Sequence, residues 1–266
     1  MPALRNLESL FARVQKPARY TGGEWNSTVK DWDACDVRVV LAYPDLYDIG
    51  MSNLGIGILY DIVNRREGML AERVFAPWSD MEAAMRAEGV PLWSLETRHP
   101  VREFDVIGFS LSYEGTYTNI LNMLDLAGLP VKADERTDAH PLVICGGSGA
   151  LNPDALADFV DVFALGDGEE TIVDIVDFVR EWKQQGRGTR DQMLLQLAKI
   201  WGVYVPRFYR PEYNADGSIK SVTPAIEGLP ARVTKRFVQE LPPTLTTPIV
   251  PFLQTVHDRM AIEIQR

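Results

Sequence analysis

Nine residues in four short segments carry most of the chemistry this sequence offers. They are Asp45, Tyr47 and Gly50 in D-x-Y-x-x-G, Ser110 and Ser112 in S-x-S, the pair Gly146 and Gly147, and Gly166 and Gly168 in G-x-G. A carboxylate, a phenol, two hydroxyls and bare backbone are groups for gripping a ligand; no catalytic residue is assigned. A glycine pair admits positive φ and lets a ligand touch the main chain, although it also makes a plain tight turn. Ser110 could donate a hydrogen bond to a ring nitrogen or cap the helix that follows. Gly166-x-Gly168 ahead of a helix could cradle a phosphate. Asp167, Glu169 and Glu170 give that helix start the wrong charge, which leaves a sugar hydroxyl, an amide contact or a structural cap. Asp45 and Asp48 could hold a metal, but no third hard ligand accompanies them.

Other reactive types are scattered. Cys35 and Cys145 stand far apart, with no C-x-x-C or Cys/His cluster, so neither a zinc site nor a disulfide scaffold is expected. Cys145 ends an apolar run and reads as a small core residue. His99, His140 and His257 lack metal-ligand spacing. The net charge of −10 argues against broad contact with a phosphate backbone, so nucleic acid is not an expected partner. With 46% hydrophobic residues in 266, the chain can build a core. It has no apolar run of the ~18–20 residues a membrane span requires. The first twenty residues lack the apolar stretch of a signal peptide, so a cytoplasmic protein is expected.

The elements that must position these residues alternate. Strand-like runs at 37–43, 72–75, 104–110, 141–145 and 159–165 are followed by helical patterns at about 53–66, 80–88, 115–126, 153–158 and 169–184. A further short run, 90–95, reads as a strand. Asn53 and Ser79 are candidate helix caps, and Gly128 with Pro130 is a stop. This order predicts an α/β fold, a flavodoxin-like doubly wound parallel sheet. Each of the four segments follows its own strand, so all converge on the strand-end edge where such sheets bind ligands.

Around this domain, taken as 37–188, lie a polar N-terminal arm, 1–36, held down by Trp25 and Trp32, and a small α+β extension, 189–223. The extension holds a helix and a hairpin turning at Asn214-Ala215-Asp216-Gly217. Six prolines between 224 and 251 mark a connector, 224–260. A final run, 261–266, resembles a strand start.

Read in order, D-x-Y-x-x-G, S-x-S and G-G resemble the D-x-H-x-x-G, S-x-L and G-G signature of cobalamin-binding domains. Ile107 to Glu114, Tyr117 to Leu124, Cys145 to Ser148 and Gly166 to Glu170 are similar to the N-terminal cobalamin-binding domain of B12-dependent radical SAM proteins. The resemblance implies a corrin over the strand edge, a nucleotide tail buried in the sheet, and the nine residues as its binding site. It implies a radical SAM catalytic domain in cis, reached through residues 261–266, so that the chain is a piece ending at a domain boundary. The [4Fe-4S] cluster and S-adenosylmethionine would belong to that longer protein, whose reaction would be methyl transfer or radical rearrangement. Tyr47 stands where a cobalt-ligating histidine is found in methyltransferase-type relatives, and segment 69–103 reads as an inserted strand and helix. The alternatives are a degenerate domain that holds no cofactor and serves as a scaffold or docking module, and a site for another small molecule, such as a flavin or nucleotide, in the same crevice.

Overall fold

A run of β-branched and apolar residues, Val37–Tyr43, forms β1 of the computed structural model, which describes residues 4, 7–186, 188–240, 245 and 247–251. Its alternation decides the layers. Val37, Val39 and Leu41 enter one core, Val40 and Ala42 the other, as expected of a strand covered on both faces. Before it come α1 (Glu8–Phe11) and the arm; after it come α2 (Tyr47–Gly50) and α3 (Leu54–Asn64). Asn53 caps α3 by accepting the Ile56 N–H at 3.0 Å.

The remaining elements are β2 (Met69–Phe75), α4 (Ser79–Glu88), β3 (Val106–Ser110), α5 (Tyr117–Leu126), β4 (Leu142–Gly146), β5 (Val162–Ala164), α6 (Gly168–Gln184), α7 (Arg190–Leu197), β6 (Val203–Tyr204), β7 (Tyr209–Tyr213) and β8 (Ile219–Pro224). The sheet order is β2-β1-β3-β4-β5-β6, with β7 and β8 in a separate antiparallel pair. The first five strands are parallel and β6 runs antiparallel to β5. Helices α3 and α6 bury Ile56, Tyr60, Ile172, Ile175 and Val179 on one face. Helices α4 and α5 bury Met81, Met85, Ile120 and Met123 on the other. This is the doubly wound flavodoxin order, whose direction of winding reverses between β1 and β3.

Several expectations need correction. Segment 69–103 is no insertion: β2 is the regular edge strand, paired with β1 over all seven residues. The run 90–95 forms no strand and makes only a bridge, Trp93 to Pro100. Pro91 has no N–H to offer a ladder, and Leu95 instead donates to the Arg73 carbonyl, covering the β2 edge. The strand expected at 159–165 shrinks to Val162–Ala164. Just before it, Asp161 is drawn into a buried ion cluster with Arg136 and Arg190. Trp78, not Ser79, is the cap residue of α4. In the arm, Trp32 stacks on His99 at 3.7 Å and meets Phe104 edge-on, whereas Trp25 is 79% exposed. The connector packs more than its prolines suggest, burying Leu229 and Ile249. The strand read at 261–266 lies outside the described residues.

Candidate functional site

A cavity of about 380 Å³ lies on the sheet between α3 and α6, at the switch point, within the usual ~300–1,000 Å³ of small-ligand sites. Strand register builds it in two rows. Leu41, Gly108 and Ile144 sit side by side as the floor. Ser110, Gly146 and Ala164 form the next row up, at the strand ends. Two strand residues separate the rows, about 6.6 Å. Leu54, Ile58 and Leu59 wall one side, Ile172 and Ile175 the other.

The space exists because side chains are missing. A β-carbon on Gly108 would have only Leu41 Cδ2 as its nearest neighbour, at 3.6 Å, and one on Gly146 would have Ala164 Cβ at 3.8 Å. Both are ordinary contacts, so neither glycine is required by packing. Ser110 points its side chain to the same face, as strand alternation requires, and its hydroxyl has no hydrogen bond among the described residues. Gly108 was missed in the sequence. The signal was there: a glycine inside an apolar strand marks close approach of something other than a side chain.

Of the nine predicted residues, Ser110, Gly146, Gly147, Gly166 and Gly168 line this cavity; Asp45, Tyr47, Gly50 and Ser112 do not. Tyr47 turns away into the protein. It packs edge-on against Phe75 and donates to Glu24 Oε1 at 3.1 Å. Burial, with the Glu24 charge behind it, pushes the phenol far above its ordinary range. Glu24 in turn pairs with Arg73 at 2.9 Å, and Arg73 with Glu96 at 2.7 Å, all deeply buried. Gly50 is a packing glycine, since a β-carbon there would come within 2.7 Å of the Tyr43 and Phe75 rings. Asp45 accepts from the Leu46 N–H and the Tyr113 hydroxyl, and Asp48 pairs with Lys16 and Arg19 of the arm. Ser112 is exposed, and its carbonyl accepts from Ser148 Oγ at 3.1 Å.

Two of the lining glycines also have structural reasons. Gly147, at φ 101°, lies so close to Leu111 that a β-carbon would come to 2.7 Å from its carbonyl oxygen. At Gly166 the β-carbon would meet the Arg236 oxygen at 1.9 Å. The connector bonds to the rim there: Asp167 N–H donates to Arg236, Arg236 N–H to Leu165, and Val238 N–H to the Asp167 carboxylate. Cys145 is fully buried on the opposite face of β4, where burial pushes its thiol up and makes it unreactive. No group of three or more His, Cys, Asp or Glu side chains is arranged to hold a metal among the described residues. Nor is any helix among them long and apolar enough to cross a membrane. A second cavity, about 490 Å³, opens at the other end of the strands among Arg38, Asp105, His140 and Lys183, away from every signature residue.

A strand-end cavity in a doubly wound sheet is shared by many folds, so family membership decides more than shape. The family model described as "Radical SAM proteins, N-terminal" matches residues 55–206, more than half of the 266. This chain belongs to that family. The match covers β2 through β6 and all of the cavity's lining except Leu41 and Leu54. No curated protein matches this radical SAM N-terminal chain. Among solved structures, it is similar to a radical S-adenosylmethionine methyltransferase, TsrM, from Kitasatospora setae, with tryptophan substrate and the SAM analog aza-SAM bound. The likeness covers 73% of this chain and 31% of that one, at 15% identity and a TM-score of 0.40. The present chain therefore spans about a third of the length of that protein.

Proposed function

We propose that this chain is the cobalamin-holding part of a radical SAM enzyme, with the nucleotide tail of the cofactor in the cavity between α3 and α6. One observation carries the reading. At the switch point, Gly108 and Gly146 leave an open cradle that a β-carbon could fill without collision, and the unpartnered Ser110 hydroxyl sits within it. A ligand explains three residues that packing does not. Gly108 and Gly146 would lie against the tail, and Ser110 would donate to it. The corrin would lie over the strand ends, beside Ser112 and the loop of Asp45, Tyr47 and Gly50.

Because Tyr47 is bonded to Glu24, its hydroxyl is engaged within the protein, and the residue in the histidine's place would supply no ligand to a bound cobalt. Cobalamin, when bound, supplies alkyl-cobalt chemistry that protein side chains lack. The work of this chain is to bind and orient it and to keep water from its tail. The radical step, whether methyl transfer or rearrangement, would fall to a catalytic domain in cis that carries the [4Fe-4S] cluster and S-adenosylmethionine. Within the described residues both cysteines are free and buried, which does not make a cluster site.

The test is reconstitution with hydroxocobalamin, desalting and an absorption spectrum. Wild type should retain the corrinoid, and Gly146→Val should lose it while melting at an unchanged temperature. A colourless wild-type eluate would overturn the reading. It would favour the scaffold or docking alternative, which draws on the acidic rim of Asp167, Glu169 and Glu170, ill suited to a tail phosphodiester.

A further inference from the structure

The cavity's polarity is graded from mouth to floor, and the grading selects among ligand tails. Side chains able to hydrogen-bond are concentrated toward the mouth. Ser110 ends β3, while Glu169 and Thr171 lie on the first turn of α6, and the Thr171 hydroxyl already donates to the Asp167 carbonyl at 3.0 Å. One row down, Leu41 and Ile144 flank the bare Gly108, and Ile172 and Ile175 close the side. The strand amides and carbonyls at that level are engaged in the parallel ladder. Along the row of Leu41, Gly108 and Ile144 the floor therefore offers hydrocarbon and no side-chain donor or acceptor.

We propose that this slot is selective for a tail base whose deep edge is hydrocarbon, a dimethylbenzimidazole, and against a purine of the same size, with Gly108 as the residue that sets its depth. The proposal rests on the cobalamin reading for the identity of the ligand, but its chemistry concerns the slot alone. An adenine placed there would bury an exocyclic amine and ring nitrogens against Leu41, Ile144 and Ile175. A buried donor or acceptor left without a partner weakens binding by roughly tenfold to a hundredfold. Two methyl groups in the same place gain contact with side chains already present. Glu169 does not rescue the purine, because its turn stands at the level of the mouth, a turn above Ile172.

Equilibrium binding to the purified chain, followed by corrinoid absorbance, would compare cobalamin with the adenine-tailed cobamide. In parallel, saturation-transfer NMR would compare the free dimethylbenzimidazole nucleoside with its adenine counterpart. Wild type should prefer the dimethylbenzimidazole form by at least about tenfold in the first assay and show transfer only to it in the second. Gly108→Ser, which places a hydroxyl on the floor, should narrow the preference, and Gly108→Val should abolish binding of both nucleosides with melting temperature retained. Equal affinity for the two tails, or tighter binding of adenine, would overturn the proposal even if neither variant folded. If neither corrinoid binds but the dimethylbenzimidazole nucleoside still does, the slot chemistry stands and the cobalamin reading falls. If neither nucleoside shows transfer and neither corrinoid binds, both fall.

Discussion

On the β1 side of the switch point, Tyr47, Glu24, Arg73 and Glu96 fill the interior with a continuous run of hydroxyl and charge. On the β3–β4 side, with Gly108 two strands across the sheet from Arg73, Gly108 and Gly146 leave it open between aliphatic walls. Both regions serve loops at the same edge. Buried charges are costly unless their partners are in place, so the first region holds its loop in one arrangement. The second asks nothing of its neighbours and can accept a guest. The motif residues laid along one edge are thus divided between those that fix the frame and those that leave room. Substitutions should separate the two.

The largest effect is expected at Arg73. Arg73→Met keeps the volume but leaves Glu24 and Glu96 as unpaired buried carboxylates, and should lower the unfolding free energy by about 3–5 kcal/mol in urea titration. A loss under 1 kcal/mol would mean the network holds nothing in place.

Next is Glu72, fully buried on β2, where burial raises its carboxyl to about 7 from 4.5 despite hydrogen bonds from the Thr97 N–H and hydroxyl. The folded state then holds a proton that the unfolded chain gives up. Its stabilising contribution is complete below about pH 4.5 and is lost as pH rises to about 7. Urea unfolding at pH 5 and pH 8 should show a decline of up to about 3 kcal/mol in wild type relative to Glu72→Gln. Parallel pH profiles for the two would remove Glu72 as the source.

Tyr47→Phe deletes one hydrogen bond to a buried carboxylate and should cost about 1.5–3 kcal/mol of stability, with cobalamin retention and spectrum unchanged. Loss of the corrinoid in a folded Tyr47→Phe protein would break the division drawn above. Ser110→Ala is the mirror experiment and the smallest effect. It should weaken corrinoid affinity by about 0.5–1.5 kcal/mol, read by titration, without moving the melting temperature.

Most of the frame was legible because periodicity reports burial. The run Val37–Tyr43 coincides with β1, and the helix after Gly166-x-Gly168 ends at Gln184 as read. Thr189 and Gln192 form a reciprocal capping box at α7, a pattern legible in the sequence. The failures share a cause. Val90–Leu95 has strand-like composition, but its amides are claimed by four separate carbonyls, those of Met85, Leu126, His99 and Arg73, rather than by one continuous ladder. At the candidate site, residue type pointed to one sheet edge but not to the direction of each side chain. Nothing in D-x-Y-x-x-G announces that Tyr47 will find Glu24, 23 residues upstream in the arm. Likewise Gly147 and Gly166 read as ligand glycines, yet their closest neighbours are Leu111 and Arg236.

Gly108 has a consequence for how such a sheet persists under mutation. Alanine and valine are each one nucleotide away from any glycine codon, and the space beside Leu41 would admit a β-carbon at ordinary contact distance. Glycine within a strand forgoes roughly 0.5–1 kcal/mol relative to alanine. A lineage selected for folding alone would drift toward filling the position, since stabilising replacements at permissive sites are easily found. Holding it bare requires that each such replacement be removed by some disadvantage other than instability. A single hydrogen atom in the middle of β3 is therefore the place where purifying selection on an occupant, as opposed to selection on the fold, would be read most directly.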